Sequence, residues 1–382
     1  MYTEKVLPIP HGMFDGLQGQ NYEIDGAISF TLEALGEPAY DYWFVAGLTG
    51  DSFSQIYYRD HWRGNSAAEV RCSDGDISPV LETFALCGYA CDFVPAQALC
   101  LDREDYLRRI LHSIDNGIPV IRYFDGWQVV VGYADGGRAL LSIWGDRWGD
   151  TWVTPARIEA DRFFALPEDQ ARPDKCPNPG CFFPGPKRAQ VDLAGLYRKA
   201  ILRLPALLSA VGENYCFGGA AFRAWADEIE GGRYDGMSAA DFEANKWFLY
   251  TNYLCVLASN GSGYRHFLDK AFSLNPDMEV LPWMGELLGR MGQIWEGKKA
   301  GPLHTNSDPV LPASVPLPLR ELLNASGAGA HSVSLEQLGG GFNVSLETLQ
   351  SPEKRTAIAA RLRECAALSD ALAALIPACC GR

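Results

Sequence analysis

Positive charge is in short supply along this chain: 33 lysines and arginines face 47 aspartates and glutamates over 382 residues, a formal net charge of -14. That balance argues against nucleic acid or an anionic membrane surface as a partner. Long apolar runs are lacking too. The most apolar stretch, residues 80–101, is interrupted by Glu82, Asp92 and Pro95, so no membrane span is expected. The opening MYTEKVLPIPHG has no basic segment followed by an apolar one, so no secretory signal is expected. Cys176 and Cys181 stand as C-x4-C and Cys379 and Cys380 are adjacent, but neither pair has a second Cys/His pair nearby. Neither a zinc site nor any other cofactor is expected on that pattern. Internal repeats and low-complexity tracts are absent as well. The 11 cysteines, an odd number scattered over both halves, suit reduced thiols in a cytoplasmic protein better than a disulfide framework.

What is present is enough apolar material, 47% of residues, for two domains of ordinary size. A composition break falls at LPEDQARPDKCPNPGCFFPGPKR, residues 166–188, with six prolines and no helical or strand period. It reads as a linker between an α+β domain over 1–165 and a mostly helical domain over 189–382. In the first half, Ile24, Ile28, Leu32 and Leu35 recur at helical spacing, with Gly36 as a stop. A second helix is expected in DREDYLRRILHSIDNG, capped by Asp102 and ended by Gly117. IPVIRYFD suits a central strand, and GWQVVVGY and RALLSIW suit a hairpin turned at ADGG. The sheet should therefore be mostly antiparallel.

The second half offers RKAILRLPALLSAV, FGGAAFRAWADEIEGG, DFEANKWFLYTNYLCVLASNG, GYRHFLDKAF, VLPWMGELLGRMGQIW and a long last segment from Ser351. Each has apolar residues three and four apart, which predicts a helical bundle. Pro352 after Ser351 fits the first position of the last helix. Trp225, Trp247 and Phe248 read as core aromatics rather than a ligand box.

The pieces GQNYEIDGAISFTLEALG, FVAGLTGDSFSQIYY, NGIPVIRYFD and GWQVVVGY, in that order, resemble the N-terminal domain of the butirosin biosynthesis protein H family. That family is papain-like and is similar to the double-glycine peptidases that process bacteriocins. The resemblance covers roughly residues 10–160 and continues more loosely through FGGAAFRAWADEI and GYRHFLDKAF. It implies a cysteine nucleophile at the start of a buried helix, where the helix N-terminus stabilises a thiolate. It also implies a histidine base from the neighbouring sheet and an acid or amide that orients it. It implies, finally, a bacterial biosynthetic setting in which acyl groups pass from carrier proteins to amine-bearing antibiotics.

This sequence departs from that pattern at each catalytic position. Counting back about thirteen residues from Gly36 puts Glu23 at the nucleophile position, preceded by Tyr22. Counting back six from Gly132 puts Gly126 where the histidine should be. The orienting acid falls near Trp144, with Asp146 just beyond, and Gln18 stands loosely for the oxyanion-hole glutamine. A carboxylate is a poor replacement for a thiolate, because its acyl product is a labile mixed anhydride. Without histidine no base is poised near neutral pH.

Three readings follow. In the first, the domain is a catalytically silent binding module whose cleft is lined by Gln18, Tyr22, Glu23, Asp25, Gly126, Trp127, Trp144 and Asp146. Acidic and aromatic walls would suit a cationic or amine-bearing small molecule. In the second, Glu23 is a general base or nucleophile paired with Asp25 or Asp146. In the third, the chain is a cysteine acyltransferase or peptidase using Cys72, Cys87 or Cys91 with His61 or His112. For Asp25 alone, a first-turn acid favoured by the helix dipole is the plain structural alternative.

Overall fold

The computed structural model of the chain describes residues 3–8, 12–59, 63–123, 126–145, 155–165, 180–297, 315–324 and 333–380. Two compact units divide it: Met1–Thr49, Trp62–Gly64 and Ala68–Asp192 form one, and Gly50–His61, Asn65–Ala67 and Leu193–Arg382 form the other. The chain therefore contributes an early segment to the second unit before completing the first. Composition gave no hint of this exchange, because no proline-rich stretch sets GDSFSQIYY apart from what precedes it.

The chain begins with β1 (Lys5–Val6), α1 (Glu23–Ala34), α2 (Tyr42–Thr49), β2 (Ile56–Tyr58), α3 (Ala67–Ser73) and α4 (Ser78–Leu86). It continues with β3 (Tyr89–Pro95), α5 (Ala96–Leu101), α6 (Arg103–Asp115), β4 (Val120–Tyr123), β5 (Trp127–Ala134) and β6 (Ala139–Trp144). Then come β7 (Ala156–Glu159), α7 (Ala160–Phe163) and β8 (Gly180–Lys187). All of these except β2 lie in the first unit, apart from Ala67 at the start of α3. The expected α1 is present: Ile24, Ile28 and Leu32 are fully buried, and Gly36, at φ +92°, follows its end. Asp102 sits at the N-cap position of α6 as expected, but its side chain makes no capping bond among the described residues.

The sheet has seven strands in the order β3-β8-β4-β5-β6-β7, with β1 also pairing β5, and every pairing is antiparallel. All eight residues of β5 are buried. β4 pairs with its first half, β1 with Gly132 and Tyr133, and β6 runs along its other edge. Gly132 is required there: a Cβ on it would stand 2.5 Å from the Lys5 carbonyl of β1. The hairpin turn falls at ADGG as expected, with Asp135, Gly136 and Gly137 all at positive φ.

The linker assignment needs correction. Residues 166–179 lie outside the described residues, but Gly180–Lys187 is a strand inside the sheet, and the first unit runs to Asp192. Cys181, Phe182 and Phe183 are all buried, so β8 shows no polar–apolar alternation to betray it. Its prolines obey the usual constraint on strands. Phe182 and Cys181 pair with β4 on one side, whereas Pro184 pairs with β3 alone.

The second unit is mostly helical. It contains α8 (Leu193–Leu208), β9 (Tyr215–Phe217), α9 (Gly218–Glu230), α10 (Ala239–Lys246) and α11 (Asn252–Leu274). α12 (Val280–Glu296), α13 (Leu317–Asn324), α14 (Leu346–Gln350) and α15 (Pro352–Cys380) follow. β2 pairs with β9 in antiparallel register, Ile56 opposite Phe217. α15 packs on α8, α9 and α12, and Pro352 occupies its first position as expected. A π-helical turn, Trp247–Thr251, joins α10 to α11. Two expectations fail here. The segments ending at Gly261 and beginning at Gly263, read as two helices, are instead parts of one, α11, because buried apolar residues on both sides hold the helix together. Trp225 is fully buried against Tyr250 and Tyr253, but Trp247 is 42% exposed and Phe248 half-buried, so the aromatic stripe is split. Among the described residues no helix is long and apolar enough to cross a membrane.

Candidate functional site

Glu23 is the first residue of α1, and α1 packs on β4 and β5. Its Oε2 accepts the backbone N–H of Trp127 at 3.0 Å. Gly126, at φ +138°, immediately precedes β5, and a Cβ built on it would stand 3.0 Å from the same carboxylate oxygen. Positions 23 and 126 thus face each other, as the two counts from Gly36 and Gly132 pair them. The space in front of residue 126 is filled by the Glu23 carboxylate. A side chain there would need both a rare backbone conformation and the displacement of that oxygen.

Asp25 does not join them. Two positions along a helix are turned about 200° apart, so the two carboxylates cannot share a face. Asp25 is fully buried, and its Oδ1 accepts the Thr49 hydroxyl of α2 at 3.1 Å. Tyr22 is also buried. Its N–H and that of Asn21 both donate to the Tyr42 hydroxyl, at 2.9 and 3.0 Å, which ties the entry of α1 to the start of α2. The Trp127 ring is 1% exposed, stacked on Phe182 at 6.0 Å and edge-on to Tyr123 at 5.4 Å, so it packs in the core. Trp144 is exposed at the end of β6, and Asp146 lies outside the described residues.

Gln18 lies on a different feature, a cleft of about 220 Å³ in the first unit. Three acidic residues line it, Asp15, Glu33 and Asp41, with Gln18, Gln20, Ser29 and Tyr42. Among the described residues that line it there is no lysine, arginine or histidine. Local chemistry fixes the walls. Asp15 caps the short turn at Gly16–Gln18, taking the Leu17 N–H at 3.0 Å and the Gln18 side-chain amide at 3.1 Å. Asp41 takes the Phe44 N–H at 2.9 Å at the start of α2. Ser29 and Glu33, four residues apart, come from one face of α1. Asp15, Glu33, Asp41 and Tyr42 were not singled out in the sequence. The readable signals were the capping positions of the two aspartates and the i, i+4 spacing of Ser29 and Glu33.

The candidate thiols are placed unlike nucleophiles. Cys72 and Cys87 are buried. Burial pushes the Cys87 thiol up to about 12, helped by the nearby Glu37 carboxylate, and burial does the same to Cys91. Nucleophilic activation needs the opposite shift. His112 is exposed at the end of α6, 3.1 Å from the Asn116 amide, and His61 lies outside the described residues. Among the described residues, no group of three or more His, Cys, Asp or Glu side chains could hold a metal ion. No protein-family model matches the chain, and no curated protein matches it.

Proposed function

We propose that the first unit is a papain-like domain that has lost acyl-transfer chemistry and binds an amine-bearing small molecule. The observation that carries the reading is the meeting of Glu23 with Gly126. The start of a buried helix faces the start of a central strand, as a nucleophile and its base would, but a carboxylate bonded to the Trp127 amide fills the gap. Burial keeps the thiols of Cys87 and Cys91 weakly acidic, the opposite of nucleophilic activation. The cleft beside α1 supplies the binding chemistry: three carboxylates and Tyr42, with no cation among the described lining residues, favour an ammonium group. Acyl transfer through Glu23 gains no support, because Asp25 is engaged by Thr49 on another face of the helix.

Isothermal titration with spermidine and with simple mono- and diamines tests the proposal. Measurable binding is expected, weakened by Glu33→Gln and left in place by Glu23→Gln. A thioester substrate should not be turned over. The absence of heat with every amine, or turnover of the thioester, overturns the reading.

A further inference from the structure

Residues 51–55, DSFSQ, are buried as thoroughly as an apolar strand: none of the five is more than 3% exposed. Polar side chains buried to that degree are nearly always hydrogen-bonded, to protein or to ordered water. Gln55 satisfies one end of its amide within the protein. Its Nε2 donates to the Tyr253 carbonyl at 3.0 Å and to that of Ile56 at 3.3 Å. Its Oε1 is buried and has no partner among the described residues.

Gln55 also lines a crevice in the helical unit, together with Phe222 of α9, Asn260 and Tyr264 of α11, and Met291 of α12. The space within it is about 20 Å³. A water needs roughly 10–15 Å³ measured in this way and two to four polar partners. The crevice therefore has room for a water. Gln55, Asn260 and Tyr264 are the polar residues that line it, and the Gln55 oxygen is a buried acceptor without a partner among the described residues. Ser52 and Ser54 also carry buried hydroxyls without a partner among the described residues, but neither lines this crevice.

We infer that the crevice is a hydration site holding one ordered water, which donates to Gln55 Oε1 and is completed by Asn260 and Tyr264. The water links the segment before β2 to the middle of α11, and it completes the hydrogen bonding of an amide that already holds the Tyr253 carbonyl.

A crystal structure of the whole chain, at a resolution that shows ordered solvent, tests this. Density for a single water about 2.7–3.2 Å from Gln55 Oε1 is the expected result. An empty crevice, a larger occupant, or an Oε1 turned to a protein donor overturns the inference. Gln55→Met removes the acceptor at similar side-chain length, and the density should vanish with it. Persistence of that density would show that Gln55 is not its anchor. If the variant does not fold, the density in the unaltered protein decides.

Discussion

At the scale of single residues, positions 23 and 126 share one small volume, and each sets what the other can be. Glu23→Ala leaves the Trp127 N–H without its acceptor, and a loss of about 1–2 kcal/mol is expected in urea unfolding. Gly126→Ala forces a Cβ to φ +138° and 3.0 Å from the carboxylate, with an expected loss of about 1–3 kcal/mol. The two losses should not add. Removing the carboxylate also removes the atom that the new methyl would meet, so the double variant should be less destabilised than the sum of the singles. Strict additivity would show that the two positions do not compete for space. The resemblance paired these two positions, through its spacings from Gly36 and Gly132, one following a helix and one admitting a neighbouring strand. The acidic cleft was not legible in the sequence, since Asp15, Glu33 and Asp41 come from three separate segments whose meeting depends on the packing of α1 against α2.

At the scale of elements, periodicity located α1, α6, β4, β5 and β6, each of which has a clear stop or turn residue in the sequence. It failed for β8, whose buried run of Cys181, Phe182 and Phe183 carries no alternation and whose prolines read as linker. If β8 is a true interior strand, Phe182→Ala should cost about 3–5 kcal/mol, a value foreign to a linker residue. A destabilisation below about 1 kcal/mol would contradict its placement between β3 and β4. Periodicity also failed within α11, where Gly261 mimics a helix end. A Cβ there would meet nothing within 4 Å, so Gly261→Ala should stabilise the protein by roughly 0.5–1 kcal/mol. A loss of stability would mean that the helix does break at this point.

At the scale of the whole molecule, buried acids of high pKa govern the alkaline limit. Cys87, Cys91 and Cys181 are raised from an ordinary value of 9.0 to about 12, in each case chiefly by burial. Burial likewise raises Tyr40 from 10.0 to about 12, with Cys87 and Glu37 adding to the effect. The folded state holds these protons more tightly than the unfolded chain does. The stability they contribute is complete below about pH 9 and declines as pH rises from there towards about 12. Urea midpoints should fall across that interval, and iodoacetamide should label these thiols slowly at neutral pH. A midpoint that stays level up to about pH 11 would argue against their burial. The division of the chain into units was the least legible feature of all, because nothing in local composition records that Ile56–Tyr58 pair with a strand from the second half.

That pairing has a consequence in time. Ile56 meets Phe217, a partner made 161 residues later. At a synthesis rate of about 5–20 residues per second, the early strand waits roughly 8 to 32 seconds for its mate. Throughout that interval a newborn chain carries an apolar strand with both edges open, while the sheet of the first unit is being assembled. Such a strand is a target for wrong pairing, either with that sheet or with a second growing chain. The yield of native protein in a cell should therefore depend on what shelters residues 50–61 during translation, and a slower ribosome lengthens the exposure.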